Sequence, residues 1–195
     1  MSQADHERCP GARHDGGVTA PAEELIVLVD DEGRAIGSMP KRMVHHGETP
    51  LHRAFSAYLF DEQGRLLVTR RAEGKATFPG MWTNTVCGHP GPGEDDVSAI
   101  ARRARDELGL DVADLRPAVP GYRYRAVFRG VVENEICPVY LGRFSGRPVP
   151  DPTEVGDWAL LDWAAFRRRQ DAEGDAWSPW CREQARLIEE QGLAG

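Results

Sequence analysis

Apolar residues in the first third of the chain recur in the short runs that are typical of β-strands. Residues 24–30 (ELIVLVD) form a β-branched run, and residues 35–39 follow one turn later as its predicted hairpin partner. Residues 51–60 (LHRAFSAYLF) and 65–71 (RLLVTRR) predict a second hairpin, because only a short polar turn separates them. A short helical piece is expected after Pro40, between the two hairpins.

A helical period replaces this pattern in residues 94–108, where apolar side chains recur along one face. Gly109 is suited to end this helix, because glycine adopts the left-handed conformation of a helix C-terminus. Residues 122–128 and 131–144 then predict two long strands around a turn at Gly130.

The remaining segments complete an alternation of strands and helices. Residues 115–121 are interrupted by proline, and residues 157–161 predict a short strand that leads into a helix over 162–169. A final amphipathic helix is expected with Ser178 as its N-cap and Pro179 at its first position. We therefore predict one domain of mixed strands and helices.

Composition sets the domain bounds and excludes some functions. The chain has 195 residues, enough for one domain with a substantial core, and 41% of them are hydrophobic. Residues 1–22 have few apolar side chains and predict a disordered extension, which leaves 23–195 as the folded domain. A net charge of −7 argues against nucleic-acid binding. No apolar run approaches the roughly 20 residues that span a bilayer, and no secretory signal is evident, so we expect a cytoplasmic protein.

The cysteines suggest one reactive thiol. Four are present, without a CxxC pair or a disulfide spacing. Cys137 and Cys181 are most simply small buried hydrophobes, and Cys9 falls in the predicted extension. Cys87 differs, because polar residues surround it and a Gly/Pro-rich loop follows it. A nearby helix N-terminus and metal-bound histidines would lower the pKa of its thiol, whereas nearby carboxylates would raise it, so the sequence leaves the direction open.

Carboxylates on one strand suggest a metal site. Glu133, Glu135 and Cys137 alternate, so all three point to one face. Two buried carboxylates without partners would be costly, and a divalent cation is the simplest way to neutralise them. Histidines available as further ligands are His45, His46, His52 and His89. Such a donor set suits Mn²⁺, Mg²⁺ or Zn²⁺.

The helix over 94–108 carries a pattern for handling phosphate. Its residues follow the Nudix box, G-x5-E-x7-R-E-U-x-E-E-x-G-U, at Gly88, Glu94, Arg102, Asp106, Glu107 and Gly109. Two positions depart from that box: Arg103 stands in place of the glutamate after the arginine, and Asp106 replaces the first glutamate of the final pair. The exchange at Arg103 removes a metal ligand and adds a positive charge, which favours holding a diphosphate over cleaving it. A solvated face of mixed charge would explain the same helix residues taken alone.

Several further segments make the resemblance specific. FPGMWTNTVCGHP, VENEICPVY and WSPW, together with LHRAFSAYLF, LLVTRRA and YRYRA, resemble the type 1 isopentenyl-diphosphate Δ-isomerases, a divergent branch of the Nudix superfamily. The resemblance covers about residues 23 to 190. It implies an α/β (α+β) Nudix fold with a mixed β-sheet sandwiched between helices. It also implies a small-molecule diphosphate substrate and a monomer or weak dimer, with neither nucleic acid nor membrane as a partner.

The same resemblance implies roles for individual residues. Cys87 and Glu135 match the family's essential thiol and carboxylate, Tyr124 a tyrosine near that carboxylate, and Trp180 the aromatic wall of the pocket. The implied metal shell comprises His45, His52, His89, Glu133 and Glu135, with His45 taken in preference to His46. Glu107 matches the carboxylate that binds Mg²⁺ together with the substrate diphosphate. The implied diphosphate-binding groups are Lys41, Arg71, Lys75 and Arg103.

The expected reaction moves the double bond of isopentenyl diphosphate by one carbon, to give dimethylallyl diphosphate. Protonation of the alkene and removal of a proton from the opposite face require two acid/base groups across the substrate. Glu135 is our candidate donor and Cys87 our candidate acceptor, and Trp180 could stabilise the cation. The alternatives are a Nudix hydrolase of nucleoside diphosphate derivatives and a non-catalytic diphosphate-binding or metal-binding module.

Overall fold

Strands hold more residues than helices in the computed structural model, which describes residues 23–193. The prediction for residues 1–22 therefore lies outside the described residues. In chain order the strands are β1 (Leu25–Val29), β2 (Ala35–Pro40), β3 (His52–Arg53), β4 (Phe55–Phe60), β5 (Leu66–Arg71), β6 (Trp82–Thr83), β7 (Val86–Gly88), β8 (Asp111–Val119), β9 (Arg123–Phe128), β10 (Val131–Ile136), β11 (Val139–Ser145) and β12 (Val155–Leu161). The helices are α1 (Lys41–Val44), α2 (Asp96–Leu108), α3 (Trp163–Glu173) and α4 (Pro179–Glu190), with a 3₁₀ turn at Gly174–Ala176.

These strands form two mixed sheets. The first runs in the order β2-β1-β3-β10-β9, and the second runs β12-β5-β4-β11-β8, with β6 and β7 paired to β5 and β4. Each sheet contains one parallel pair, β3 with β10 in the first and β4 with β11 in the second. The prediction of mixed strands flanked by helices is confirmed, in the form of two sheets.

The chain passes from one sheet to the other at two adjacent places. Ala54 separates β3 from β4, and its N–H donates to the Ile136 carbonyl at 2.9 Å. Pro138 follows β10, and its carbonyl accepts from Ser56 at 3.0 Å. The predictions of single strands over 51–60 and 131–144 were therefore wrong. A period of two residues shows which face a side chain takes, but it does not show which partner strand the backbone will choose.

Smaller differences concern the ends of elements. Residues 115–121, which proline interrupts, belong largely to β8. Pro117 is tolerated there because β8 lies at the edge of its sheet, where a missing N–H need not break a hydrogen bond. Helix α1 ends at Val44, before His45. Helix α3 extends four residues beyond the predicted end, to Glu173. Ser178 and Pro179 begin α4 as predicted, although the Ser178 hydroxyl pairs with Thr83 Oγ1 at 2.9 Å instead of capping the helix.

The second sheet lies between helices. Phe55, Ala57 and Leu59 of β4 pack in one buried cluster with Ile100 and Leu108 of α2. Burial of each such large side chain stabilises the fold by about 1.5–3 kcal/mol. The intervening Tyr58 joins a second cluster with α3 and α4. The alternation along β4 thus places α2 on one face of the sheet and α3 and α4 on the other.

Helix α2 has well-formed ends. The Asp95 side chain accepts a hydrogen bond from Ser98 N at 2.8 Å, which is a standard N-cap. Gly109 follows the last turn with a φ of 65°, the left-handed conformation that its position predicts. Among residues 23–193, no helix has the length and apolar character needed to cross a membrane.

Candidate active site

A cavity of about 450 Å³ is lined by residues from both sheets and from α1, α2 and α4. Most of the residues that the sequence predicted for a site line it, namely Lys41, His45, Arg71, Lys75, Cys87, His89, Arg103, Glu107, Tyr124, Glu133, Glu135 and Trp180. His52 lies behind this lining with none of its side chain exposed, and it contacts Glu135. The fold therefore brings together side chains from positions 41 to 180.

Three histidines and one carboxylate form a compact cluster. One donor atom from each of His45, His52, His89 and Glu135 lies within 4.8 Å of the others. The Nε2 atoms of His52 and His89 are 3.3 and 3.2 Å from the same oxygen, Oε1 of Glu135. His46 is exposed and outside this cluster, and its Nδ1 accepts from Glu48 N at 3.1 Å. The choice of His45 over His46 agrees with this arrangement.

The donor set fits a divalent cation. His52 Nδ1 lies 2.9 Å from the Pro50 carbonyl, which can only accept, so this nitrogen carries the hydrogen. In a neutral ring, Nε2 then presents a lone pair to Glu135 Oε1, and two acceptors face each other. His89 Nδ1 is buried without a hydrogen-bond partner among the described residues. A proton or a metal ion between these atoms would relieve both situations, and imidazole with carboxylate is a common metal shell.

Burial and neighbouring groups together set the protonation states in this cluster. Burial, together with the neighbouring His89 and His52, lowers the pKa of His45 to about 4. Burial alone would raise the pKa of Glu135, but hydrogen bonds and charge from His52 and His89 pull it well below its usual range. At neutral pH, Glu135 is therefore ionised and His45 is a neutral imidazole.

Glu133 lies beside this cluster and is not among its four members. Tyr124 donates from its hydroxyl to Glu133 Oε2 at 2.6 Å. Burial, followed by repulsion from Glu135, raises the pKa of Glu133. The resemblance implied that Tyr124 would lie near the catalytic carboxylate, and its hydroxyl reaches the adjacent acidic residue of the same strand. A metal-ligand role for Glu133 stays a prediction.

The Cys87 thiol is held by hydrogen bonds on β7. It donates to Asn84 Oδ1 at 3.2 Å, and it lies 3.5 Å from Ser56 Oγ. Burial raises the pKa of this thiol to about 11, even though Ser56 and Asn84 act in the opposite direction. The direction that the sequence left open is thus upward, and Cys87 is a neutral thiol at neutral pH.

Aromatic side chains form one wall of the cavity. Trp180, which is 3% exposed, lies with its ring centroid 5.6 Å from that of Tyr124 and 5.1 Å from that of Phe78. The Arg71 guanidinium lies 5.8 Å from the centroid of the Trp180 ring, and Arg71 Nη2 donates to the Thr77 carbonyl at 2.8 Å. Trp180 Nε1 is buried without a hydrogen-bond partner among residues 23–193.

Ion pairs fill another part of the cavity. Lys41 pairs with Glu24 at 2.8 Å, and Lys75 pairs with Glu154. Arg103 pairs with Glu107 one helical turn away. Burial lowers the pKa of Arg103, but the carboxylates of Glu107 and Glu154 outweigh this effect and raise it. Three of the four predicted diphosphate-binding cations, Lys41, Lys75 and Arg103, therefore already have carboxylate partners, whereas Arg71 donates to the Thr77 and Phe78 carbonyls.

Sequence reasoning missed some residues of the site. The sequence analysis places Glu24 in a strand and gives Glu154 no role, yet each pairs with a predicted diphosphate-binding lysine. Ser56 and Asn84 hold the thiol, although they lie 31 and 3 residues from Cys87. Only the Asn84 contact is local enough for a sequence pattern to have suggested it.

Solved structures with a similar fold include a Nudix hydrolase. A MutT NUDIX hydrolase of Burkholderia pseudomallei superposes with a TM-score of 0.54 at 20% identity, over 71% of this chain and 96% of its own. A crystal structure from Deinococcus radiodurans gives a TM-score of 0.66 at 22% identity, over 85% of this chain and 99% of its own. At these identities the likeness concerns the fold alone.

Sequence relatives are more specific. The NUDIX domain model matches residues 50–181. A protein of Mycolicibacterium vanbaalenii named isopentenyl-diphosphate Delta-isomerase is 55% identical over 87% of this chain and 94% of its own length. Proteins of the same name from Frankia alni and Klebsiella pneumoniae are 50% and 46% identical, over 86% and 82% of this chain and 87% of each relative. With this identity over most of its length, the chain belongs to the isopentenyl-diphosphate Delta-isomerase family of Nudix enzymes.

Proposed function

We propose that this enzyme converts isopentenyl diphosphate to dimethylallyl diphosphate by protonating the alkene and removing a proton from the opposite face. The observation that supports it most is that Cys87 and Glu135 line one cavity, the first as a protonated thiol and the second as an ionised carboxylate. The reaction needs one group that can give a proton and one that can take it. We further propose that the product serves isoprenoid biosynthesis.

The two groups are proposed to act across the hydrocarbon part of the substrate. Buried side chains surround them, so water is kept from a carbocation formed between them. The π face of Trp180 could stabilise that cation by about 2 kcal/mol when desolvated. The Tyr124 hydroxyl donates a hydrogen bond to Glu133, which helps to fix β10, the strand that carries Glu133 and Glu135.

The order of proton transfer is a separate part of the proposal. The sequence analysis assigned Glu135 as the donor. The pKa directions of the two groups favour the reverse order, because burial keeps the proton on Cys87 while His52 and His89 keep Glu135 ionised. We therefore propose Cys87 and Glu135 as the acid/base pair, with the proton on Cys87 before the substrate binds.

Metal and basic groups are proposed to anchor and orient the substrate. His45, His52, His89 and Glu135 would hold a divalent ion, Mn²⁺, Mg²⁺ or Zn²⁺, and such an ion supplies positive charge beside the catalytic carboxylate. Glu107 would hold Mg²⁺ together with the diphosphate. Lys41, Arg71, Lys75 and Arg103 would contact the diphosphate oxygens.

One incubation separates this proposal from its alternatives. The purified protein is mixed with isopentenyl diphosphate and Mg²⁺, and the products are followed by NMR. Formation of dimethylallyl diphosphate without phosphate release supports the isomerase. Release of phosphate or pyrophosphate would indicate the hydrolase, and an unchanged substrate that nevertheless binds would indicate a non-catalytic module.

A further inference from the structure

A carboxylate that the proposed reaction does not use lies among the diphosphate-binding groups. Glu154 precedes β12 and lines the cavity, with 24% of its side chain exposed. Its Oε2 atom is shared between Lys75 Nζ and Arg103 Nη2, the latter at 3.4 Å. One carboxylate oxygen thus holds two of the cations that the substrate's diphosphate would need.

Glu107 completes a balanced group of four charges. It pairs with Arg103 on α2, and its side chain is 10% exposed. Two cations, Lys75 and Arg103, therefore face two carboxylates, Glu107 and Glu154. Lys41 is likewise neutralised by Glu24. These three cations offer the donors of an anion site, but their three carboxylate partners leave them no excess positive charge.

Arg103 retains a donor for a ligand. Its Nε atom is buried and has no hydrogen-bond partner among the described residues. A buried guanidinium N–H without a partner is costly, because it has lost water and gained nothing in exchange. An oxygen atom of a bound ligand would satisfy it. This observation points to an anion at the same place where Glu154 now supplies the counter-charge.

A metal-free diphosphate and a metal-bound diphosphate would meet this balanced group differently. The metal-free anion must take Lys75 and Arg103 from Glu154, which leaves that carboxylate without a partner beside the incoming negative charge. A diphosphate that carries a divalent cation brings a new partner for the displaced carboxylates, as its oxygens take over the two basic groups. The second exchange conserves charge pairing, and the first does not.

We propose that Glu154 makes this pocket selective for metal-complexed over metal-free diphosphate. Before the diphosphate binds, Glu154 neutralises Lys75 and Arg103. When the diphosphate oxygens take over these two cations, Glu154 turns with Glu107 to the metal ion that the diphosphate carries. The inference rests on the proposed function, since it assumes that a diphosphate occupies this cavity. Glu154 is a positioning and specificity residue in this scheme, and the proton-transfer steps do not involve it.

The test measures binding of inorganic pyrophosphate by isothermal titration calorimetry, once with excess Mg²⁺ and once with EDTA. In the unsubstituted protein, we expect Mg²⁺ to tighten binding strongly. In Glu154→Gln, metal-free pyrophosphate should bind about tenfold more tightly, because a like charge has been removed from the site. Binding with Mg²⁺ should weaken, so the ratio of the two dissociation constants should fall by more than tenfold.

Glu73→Gln is the matched control. Glu73 also pairs with a basic residue, Arg70, at 2.8 Å, but its side chain is 74% exposed and does not line the cavity. This substitution removes the same charge from the protein without touching the pocket, so the Mg²⁺ dependence should equal that of the unsubstituted protein. Circular dichroism of both variants checks that they are folded.

The outcomes distinguish this inference from the proposed function. An equal Mg²⁺ dependence in Glu154→Gln, Glu73→Gln and the unsubstituted protein would overturn the role of Glu154, whether or not the protein isomerises its substrate. Absence of pyrophosphate binding under both conditions would overturn it as well. If the Mg²⁺ dependence falls only in Glu154→Gln and isopentenyl diphosphate is not isomerised, the inference stands and the proposed function fails.

Discussion

Two parts of the cavity are built in different ways. The histidine end, comprising His45, His52, His89, Glu135 and Cys87, is mostly carried by strands and their immediate neighbours. In the backbone register, Glu135 lies opposite His52 on one side and opposite Tyr124 on the other. Backbone hydrogen bonds therefore fix these side chains relative to one another.

The ion-pair end comprises Lys75, Arg103, Glu107 and Glu154. It is built from one helix, α2, and from loop residues that precede strands, and its members are long side chains that pair with each other. Charged side chains can change partners at little cost where water still reaches them, as it does at Lys75 and Glu154, which are 21% and 24% exposed. The fold thus fixes the proposed acid/base groups through the strand register, whereas the proposed diphosphate-binding groups are placed by exchangeable ion pairs.

The largest loss of activity is expected when the two proposed acid/base groups at the histidine end are replaced. Cys87→Ala and Glu135→Gln should each reduce kcat by about 10³-fold or more, because an acid/base group contributes about 10²–10⁴-fold. The measurement is the rate of dimethylallyl diphosphate formation, with thermal unfolding to show that each variant is folded. Normal turnover by Cys87→Ala would remove the thiol from the mechanism.

Removal of the metal should have the next largest effect. Dialysis against EDTA should lower activity by about 10²-fold or more, and added Mg²⁺ or Mn²⁺ should restore it, since a bound cation stabilises charge that protein dipoles alone stabilise less well. Activity and metal content are measured on the same samples. Full activity in protein shown to be metal-free would contradict a metal role for the three histidines.

A smaller effect, of a different kind, is expected at the ion-pair end. Lys75→Met removes a cation that is proposed to bind the diphosphate, away from the reacting carbons. KM should rise about tenfold, because one charge-assisted hydrogen bond to the substrate is lost, and kcat should change little. Arg34→Met is the control, because Arg34 pairs with Asp30 in the β1–β2 turn, outside the cavity lining. Equal losses in kcat for Lys75→Met and Cys87→Ala would show that the two ends are not functionally distinct.

Local patterns were sufficient for much of the fold and for parts of the site. The period of α2 and its glycine end were predicted from the residues themselves, and the i, i+4 spacing of Arg103 and Glu107 allowed their ion pair. The alternation of Glu133, Glu135 and Cys137 placed all three on one face, and all three are buried. These features depend on the geometry of a single element, which sequence spacing describes directly.

Contacts between elements required the tertiary structure. The hydrogen bond from Tyr124 to Glu133, the contact of Ser56 with Cys87, and the pairing of Glu154 with Lys75 each join separate segments. These contacts depend on which strands pair and on how the loops are placed around the two sheets, neither of which follows from the period of one element.

The sequence alone thus determined the residue types, their spacing within each helix and strand, and the family that they resemble. Only the tertiary structure decided which segments meet around the cavity and which carboxylate neutralises which cation. The physical reason is that side-chain period is a local property of the backbone. Strand partners and ion pairs, in contrast, are selected by the packing of the whole domain.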